Sequence, residues 1–360
     1  GPDGCGGVCG TCSPGDECDG GNCKACEASC GGKECGPDGC GSICGTCTAG
    51  DSCSSDGVCM ACVPDCKGKL CGDDGCGGSC GDCGVDCNNL PQGPFSLDKL
   101  SGPLASEDLA FDDAGHVVGS NDKAIFKTAY GGTPQVFVPS LNFRAGLRYL
   151  PSGDLMVNID GSGQLVRITP DGTIHTVLTG LSYPNGMVVD MEGYAYVTEH
   201  DAKKVTKVDP YSGDVDVLSS GTIANPNGIC FNVDYTKMYV AGFSGVGTIY
   251  AFDHYEDGSF SAPYAWATGV GTGWLDGIGV DVCGNVYIAD YYQTKILRFP
   301  STGGSYTTVM QGGGGEYLPN MQWGTGLGGW STTKLYLPDG WNKGVFEVNV
   351  QVGPPPRPYP

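Results

Sequence analysis

Six segments between residues 107 and 338 align with one another and predict an all-β fold, a six-bladed β-propeller. Each segment is an apolar strand, a turn rich in Asp and Gly, and a second strand, and third and fourth strands follow in most copies. Four short strands in a unit of roughly 40 to 50 residues are typical of a propeller blade. In register, the six segments begin at Glu107, Ala145, Asn185, Asn227, Asp276 and Asn320.

The propeller is predicted to close into a ring, because closure removes the open sheet edges of its first and last blades. Residues 95–100, which precede the first blade, are expected to supply the outer strand of blade six. We assign residues 1–90 to a cysteine-rich arm, 91–350 to the propeller and 351–360 to a proline-rich tail. The tail is expected to adopt a polyproline II conformation.

The arm has too few large apolar residues to fold by hydrophobic burial, so covalent links or metal must hold it together. It contains 20 of the 22 cysteines, in an irregular repeat of about 36 residues. Five Cys-x-x-Cys pairs would fit zinc, but no histidine precedes His116 and the cysteines are dense, so we favour disulfides. The cysteines fall into groups of six, eight and six, and each group could pair locally. Whether Cys230 pairs with Cys283 is left open.

Charge and composition limit the binding partners and the cellular location that we expect for this protein. The net charge of -21 makes a phosphate backbone an unlikely partner, so nucleic acid is not expected. The sequence has no run of 18 apolar residues, so no membrane-spanning helix is expected. A disulfide-rich chain is expected to be secreted, extracellular or on the cell surface, with a targeting segment that has been removed or lies outside this sequence. The sequence contains no Asn-x-Ser/Thr sequon, so N-glycosylation is not expected.

The first residue of each innermost strand is expected to face the central channel at one mouth. At five of the six positions this residue carries a side-chain oxygen, the exception being Ala145. Carboxylates and amides converging on an axis suit a hard cation such as calcium, which would also relieve the repulsion between the carboxylates. The sequence therefore predicts an axial metal site.

Three motifs resemble those of the SMP-30/gluconolactonase family: Pro-Asn-Gly at 184–186 and at 226–228, and Leu-Asp-Gly-Ile-Gly-Val-Asp at 275–281. Glu107 fits the first-blade motif, although residues 107–111 read Glu-Asp-Leu-Ala-Phe where the family usually has Glu-Gly-Pro-x-Trp. The resemblance implies that Glu107, Asn227 and Asp276 bind a divalent cation, calcium or else zinc. It implies that Asn185 lies near the substrate or the metal, and we take it as a candidate substrate-binding residue.

If the protein is an enzyme, the resemblance implies metal-assisted hydrolysis of a lactone or related ester, with a sugar-derived lactone as one substrate. Asp276 would serve as metal ligand and proton acceptor, and His200 is a candidate acid or base. Arg144, beside the blade-two position, and Tyr291, on a loop at the same mouth, are candidate substrate-binding residues.

An alternative function is that of a non-catalytic structural subunit of an extracellular filament or surface assembly. An extensible arm and a polyproline tail suit docking on a neighbouring copy, and a head-to-tail contact that does not close generates a filament. Self-association through the arm or the tail is therefore a second expectation.

Overall fold

The computed structural model describes residues 16–19, 22–25, 29–38, 43–47, 51–61, 85–141 and 145–356. The chain forms two compact units, Gly1–Asp65 with Asp73–Ser79, and Cys66–Gly72 with Cys80–Pro360. The first contains the arm hairpins and the second contains the propeller. No helix in the described part of the chain is long and apolar enough to cross a membrane.

The described part of the arm contains two-stranded antiparallel hairpins, and disulfides surround the second of them. The strands are β1 (Asp16–Asp19) with β2 (Asn22–Ala25), and β3 (Asp51–Cys53) with β4 (Cys59–Ala61). Three disulfides close loops of 12 to 18 residues around the second hairpin: Cys30–Cys44, Cys35–Cys53 and Cys47–Cys59. The prediction of a disulfide-stapled arm is confirmed for this region.

A zinc site is not supported in the described part of the arm. The sulfurs of Cys35, Cys47 and Cys53 lie within 4.8 Å of one another, close enough to share a metal. All three are already in disulfides, so they offer no thiolate to a cation.

The second unit is a ring of six four-stranded antiparallel sheets, so the predicted all-β, six-bladed fold is confirmed. A short strand, β5 (Asp98–Lys99), precedes the first blade. The strands of blades one to three, from the channel outward, are β6 (Leu109–Phe111), β7 (His116–Ser120), β8 (Ile125–Ala129), β9 (Gln135–Val138); β10 (Leu147–Tyr149), β11 (Leu155–Ile159), β12 (Gln164–Ile168), β13 (Ile174–Thr179); and β14 (Pro184–Val189), β15 (Ala195–Glu199), β16 (Lys204–Val208), β17 (Val215–Ser220).

Blades four to six repeat this order. Their strands are β18 (Pro226–Phe231), β19 (Lys237–Gly242), β20 (Ile249–Asp253), β21 (Tyr264–Ala267); β22 (Leu275–Val280), β23 (Val286–Asp290), β24 (Lys295–Phe299), β25 (Thr307–Gln311); and β26 (Gln322–Trp323), β27 (Lys334–Pro338), β28 (Val345–Asn349), with β5 outermost. Two single-turn 3-10 helices follow second strands, at Asp160–Ser162 and Tyr291–Gln293.

The ring closes as the sequence predicts. β5 pairs with β28, with Lys99 opposite Phe346 and Asp98 opposite Glu347, and completes blade six from the N-terminal side. Nearby, the backbone N–H of Phe95 donates a 2.7 Å hydrogen bond to the carbonyl oxygen of Val309 in blade five. Blade six therefore has four strands like the other blades, and its outermost strand comes from the N-terminal side of the propeller.

The burial of the strands follows from their place in the ring. Second strands such as β11, β15 and β23 are buried along their whole length, because each has blades on both faces. Outer strands such as β13 and β17 are mostly exposed. The ring is therefore a set of apolar sheets packed face to face, which fixes the relative position of the inner strands.

A further disulfide links Cys87, before the propeller, to Cys283, in the β22–β23 turn. Cys87 therefore pairs outside the third group of cysteines, and Cys283, whose pairing the sequence leaves open, does not pair with Cys230. Cys230 lies on an inner strand and lines a cavity within the channel, whereas Cys283 packs near Val85 and Leu90 outside it. Cys230 remains a thiol.

The chain after blade six packs against its own propeller as far as Pro356. The indole N–H of Trp323 donates to the carbonyl oxygen of Val352 at 2.9 Å. The N–H of Val282 donates to the carbonyl oxygen of Gly353 at 2.9 Å. Pro355 and Pro356 border a channel cavity of about 100 Å³. The remainder of the tail, and the head-to-tail contact expected of it, lie outside the described residues.

Candidate metal centre

Backbone irregularities at the start of three inner strands aim polar side chains into the channel. The β-ladders shift register between Pro184 and Met187, between Pro226 and Ile229, and between Leu275 and Ile278. Such bulges turn a strand and redirect its side chains. They place Asn185, Asn227 and Asp276 in buried positions with exposed fractions of 9%, 5% and 4%.

The glycine that follows each of these residues is a steric requirement of the ring. A Cβ on Gly186 would lie 2.3 Å from the carbonyl oxygen of Asn227, and one on Gly228 would lie 2.4 Å from that of Asp276. The Asn-Gly and Asp-Gly motifs therefore record how closely adjacent blades approach at the axis.

Side chains on the second strands fix the same backbone from behind. The Asn158 amide donates to the carbonyl oxygen of Asn185 at 2.8 Å, and the Thr198 hydroxyl donates to that of Asn227 at 2.7 Å. Each bond crosses from one blade to the next. The axial residues are thus held by hydrogen bonds that are buried and protected from water.

The carboxylates of Glu107 and Asp276 lie close enough to Tyr317 for their charges to act on its hydroxyl. Burial raises the pKa of Tyr317 most, and the charges of Asp276 and then Glu107 raise it further. Burial also raises the pKa of Asp276, the charge of Asp108 adds to this effect, and a hydrogen bond from the Asn227 side chain opposes it. Asp276 is thus in hydrogen-bond contact with one predicted ligand and electrostatically close to acidic neighbours.

These residues fit a hard cation. Asp276 is a buried carboxylate, and no ion pair to it occurs among the described residues. Asn158 Oδ1, on the residue that binds Asn185, is buried and has no hydrogen-bond partner in the described part of the chain. Carboxylate and amide oxygens are what calcium prefers, and a cation would offset the cost of burying the charge. Glu107, Asn227 and Asp276 would hold it, with Asn185 adjacent.

The remaining predicted positions are distributed around this centre. Ala145 is fully buried at the blade-two position and offers no ligand. Tyr291 begins the second 3-10 helix and hydrogen-bonds the side chain of Tyr317, so it reaches the mouth. His200 Nδ1 lies 2.7 Å from Asp201 Oδ1, and the ring contacts Tyr183. Arg144 lies outside the described residues.

An arc of aromatic rings, which we call the aromatic rim, borders the mouth from blade three to blade six. Consecutive ring centroids are 4.4 to 6.2 Å apart. The members are Tyr183, His200, Phe243, Trp274, Tyr291, Tyr317 and Trp341. His200 is therefore part of the rim, and Trp274 and Trp341 are 37% and 64% exposed on it.

Two buried carboxylates at the ends of second strands, Glu199 and Asp290, stabilise the scaffold near the mouth. Glu199 is 1% exposed and accepts hydrogen bonds from the Ser182 N–H at 2.9 Å and the Thr206 hydroxyl at 2.7 Å. Asp290, also 1% exposed, accepts from the Thr272 N–H at 2.9 Å. Both carboxylates are used to hold loop backbone.

Sequence reasoning missed Asp108 and Tyr317. Asp108 follows Glu107 in the slot that other blades fill with glycine, and this mismatch in the aligned segments was the available signal. Tyr317 lies before the sixth segment, in a loop with no repeat pattern. Its role at the mouth is evident only from its contacts with Tyr291 and its response to the axial charges.

Fold and site together define a six-bladed propeller with an oxygen-rich axial centre beneath an aromatic rim. Residues 195–314 match the family model described as SMP-30/Gluconolactonase/LRE-like region. This match covers a third of the chain, within blades three to five, where the propeller is similar to the family that the motifs predict. Among curated proteins, none matches this chain.

Solved structures give the same picture of the fold. A gluconolactonase from Xanthomonas campestris is similar, with 19% identity, a TM-score of 0.60, and coverage of 75% of this chain and 96% of the other. Regucalcin, a calcium-binding protein from Agrobacterium tumefaciens, has 17% identity, a TM-score of 0.58, and coverage of 73% and 98%. A chain of a nidogen/laminin complex has 14% identity, a TM-score of 0.55, and coverage of 66% and 89%.

Proposed function

We propose that this protein is a metal-dependent hydrolase that opens a lactone or a related ester at the axial centre, with calcium as the cation. The observation that carries the proposal is Asp276, a buried carboxylate that accepts a hydrogen bond from the Asn227 side chain and whose charge, like that of Glu107, acts on Tyr317. The similarity of the fold to a gluconolactonase and to a calcium-binding protein supports it.

The chemistry follows from what each group offers. A bound divalent cation supplies Lewis acidity toward a carbonyl oxygen. The Asp276 carboxylate can accept a proton from the attacking water, because burial raises its pKa and so makes it a stronger base than an exposed aspartate. Asn185 and Asn227 present amides at the same mouth and can orient the substrate.

The aromatic rim supports a substrate with an apolar or ring-shaped face. Trp274 and Tyr183 are partly exposed beside Phe243 and His200, so a ring entering the mouth would stack against them. His200, on the rim, can contact the substrate and exchange a proton with it. Tyr291 is a substrate-binding residue as well, because its ring belongs to the same rim.

We further propose that the protein acts outside the cell or on its surface. The disulfides of the arm and the Cys87–Cys283 bridge support this, because such bonds persist in oxidising compartments.

The test is a hydrolysis assay with a panel of γ- and δ-lactones and aryl esters, read with a pH indicator on the full chain. Activity should appear with Ca²⁺, disappear with a chelator and return on adding Ca²⁺ back. Asp276→Asn should lose at least a hundredfold in kcat/KM. Asp216→Asn, an exposed carboxylate on the outer strand of blade three, is the matched control and should retain full activity. Activity that is equal in Asp276→Asn and the wild type contradicts the proposal.

A second candidate is a structural subunit of an extracellular assembly that retains the metal centre without turnover. Exposed aromatic residues favour it: Trp341 and Tyr292 are 64% and 73% exposed, and such side chains often anchor protein interfaces. Negative-stain imaging with Ca²⁺ distinguishes the two. Ordered filaments that form in Asp276→Asn as in the wild type, with no lactone hydrolysed, favour the structural role.

A further inference from the structure

Asp108 occupies a slot that four other blades fill with glycine. The residue after the axial position is Gly146, Gly186, Gly228 or Gly277 in blades two to five. In blade one the slot holds a carboxylate that is 2% exposed. Its Oδ2 accepts a 3.1 Å hydrogen bond from the N–H of Leu147 in blade two, so the side chain lies between the blades at the channel.

Arg148 is the cation that compensates this buried carboxylate. Its guanidinium forms an ion pair with Asp108 Oδ2 and donates to the carbonyl oxygen of Leu147 at 2.5 Å. The Arg148 side chain is 13% exposed. It also borders the 100 Å³ channel cavity, whose described lining includes no carboxylate. Arg148 therefore separates an acidic part of the channel from an apolar part.

The charges of Asp108 and of the metal centre act on each other. Asp108 follows Glu107 directly in sequence, and its carboxylate lies between blades one and two at the channel, where it accepts the hydrogen bond from the Leu147 N–H. Three formal negative charges lie here, on Glu107, Asp108 and Asp276. The positive charge of Arg148 neutralises that of Asp108. The remaining two negative charges match one divalent cation.

We propose that Arg148 is a fixed counter-charge that sets the affinity of the axial centre and limits it to one divalent cation. It acts through Asp108 and does not contact the cation, so it is a positioning residue for the site's electrostatics. This inference rests on the proposed function, because it presupposes that the wild-type centre binds a cation.

The experiment is calorimetric titration of chelator-treated full chain with Ca²⁺, with metal stoichiometry checked by native mass spectrometry. The wild type should bind one ion. Arg148→Met should bind a second ion, or bind the first at least tenfold more tightly. Asp108→Asn, which leaves Arg148 uncompensated, should weaken binding at least tenfold. The double variant Asp108→Asn/Arg148→Met restores the net charge and should bind one ion with affinity near that of the wild type.

Arg148→Lys provides a conservative control, since it keeps the charge and should leave stoichiometry unchanged. Calcium affinity and stoichiometry that stay constant in folded Arg148→Met and Asp108→Asn would reduce the pair to a structural ion pair and overturn the inference. If Arg148→Met does not fold, Asp108→Asn and the double variant decide by the same criterion. A wild type that binds no Ca²⁺ would instead refute the proposed function, which is a distinct result.

Discussion

The Thr198 hydroxyl donates a 2.7 Å hydrogen bond to the carbonyl oxygen of Asn227, and so ties the second strand of blade three to the axial residue of blade four. The same hydroxyl accepts a 2.8 Å hydrogen bond from the N–H of Gly186. Thr198 thus connects two axial motifs through one buried side chain. The same two hydrogen bonds therefore hold blades three and four together and fix the backbone of the metal centre.

Thr198→Val keeps the shape of the side chain and removes both hydrogen bonds. It leaves a buried N–H and a buried carbonyl oxygen unpaired, which should lower the free energy of unfolding by about 1–3 kcal/mol. Calcium affinity should fall as well, because Asn227 is released. Denaturant unfolding and calorimetry measure the two effects. Thr198→Ser, which keeps the hydroxyl, should recover most of both, and a full loss in Thr198→Ser would contradict this interpretation.

The Cys87–Cys283 disulfide closes a loop across 196 residues of sequence. Replacing both cysteines with alanine should lower the free energy of unfolding by about 2–4 kcal/mol, because the cross-link restricts the unfolded chain. Chemical unfolding of the purified variant measures this. Cys230→Ala removes a cysteine that forms no disulfide and is the matched control. Equal losses in the two variants would show that the bridge contributes nothing of its own.

Asp190 gives a pH-dependent prediction within the scaffold. Burial raises its pKa, although hydrogen bonds from the Tyr196 hydroxyl and the Tyr194 N–H oppose the shift. A raised pKa means that the folded state favours the protonated form. The stability from this group is therefore full below its unfolded pKa of about 3.9 and is lost as pH rises through the folded value.

Asp190→Asn keeps an oxygen for the Tyr194 N–H, which bonds Asp190 Oδ1 at 2.8 Å, and cannot ionise. The variant should gain stability relative to the wild type as pH rises from 4 to 7. Denaturant unfolding at several pH values gives the difference curve. A difference that stays flat, or that grows toward low pH, would contradict the assigned direction.

Trp274 tests the aromatic rim. Its ring is 37% exposed and packs edge-on against Phe243, with centroids 5.0 Å apart. Trp274→Ala should raise KM roughly fivefold for any substrate found in the lactone and ester panel, since an aromatic stack is worth about 1 kcal/mol. Calcium affinity should not change. Tyr211→Ala, exposed on a distant turn over Arg167, should leave KM unaltered. An unchanged KM in Trp274→Ala would remove the rim from substrate binding.

The repeat pattern made the blades and the closing strand predictable from sequence. Each blade repeats the same strand–turn–strand pattern, and the need to remove a sheet edge identified residues 95–100, within which β5 lies. The axial register was also readable, because Asn227 and Asp276 begin equivalent strands. The glycines beside them mark close approach of the blades, which the motifs suggest and the structure explains.

The features that sequence reasoning did not reach depend on contacts between residues far apart in the chain. The sequence leaves the partner of Cys283 open, and the structure pairs it with Cys87, which is 196 residues away in the chain. The repeat pattern indicates only the first residue of each segment as facing the channel, so it does not indicate Asp108, the second residue of its segment. Tyr317 and Trp341 lie in loops without a repeat, so only the folded ring brings them to the mouth.

The most direct test of the axial centre is anomalous diffraction from crystals grown with Ca²⁺, in the wild type and in Asp276→Asn. We predict a single peak in the channel, with oxygens of Glu107, Asn227 and Asp276 at about 2.3–2.6 Å, the distance typical of calcium. The peak should be absent from Asp276→Asn. A wild-type map with no peak at these three residues, at calcium concentrations that saturate the protein in solution, would contradict the account.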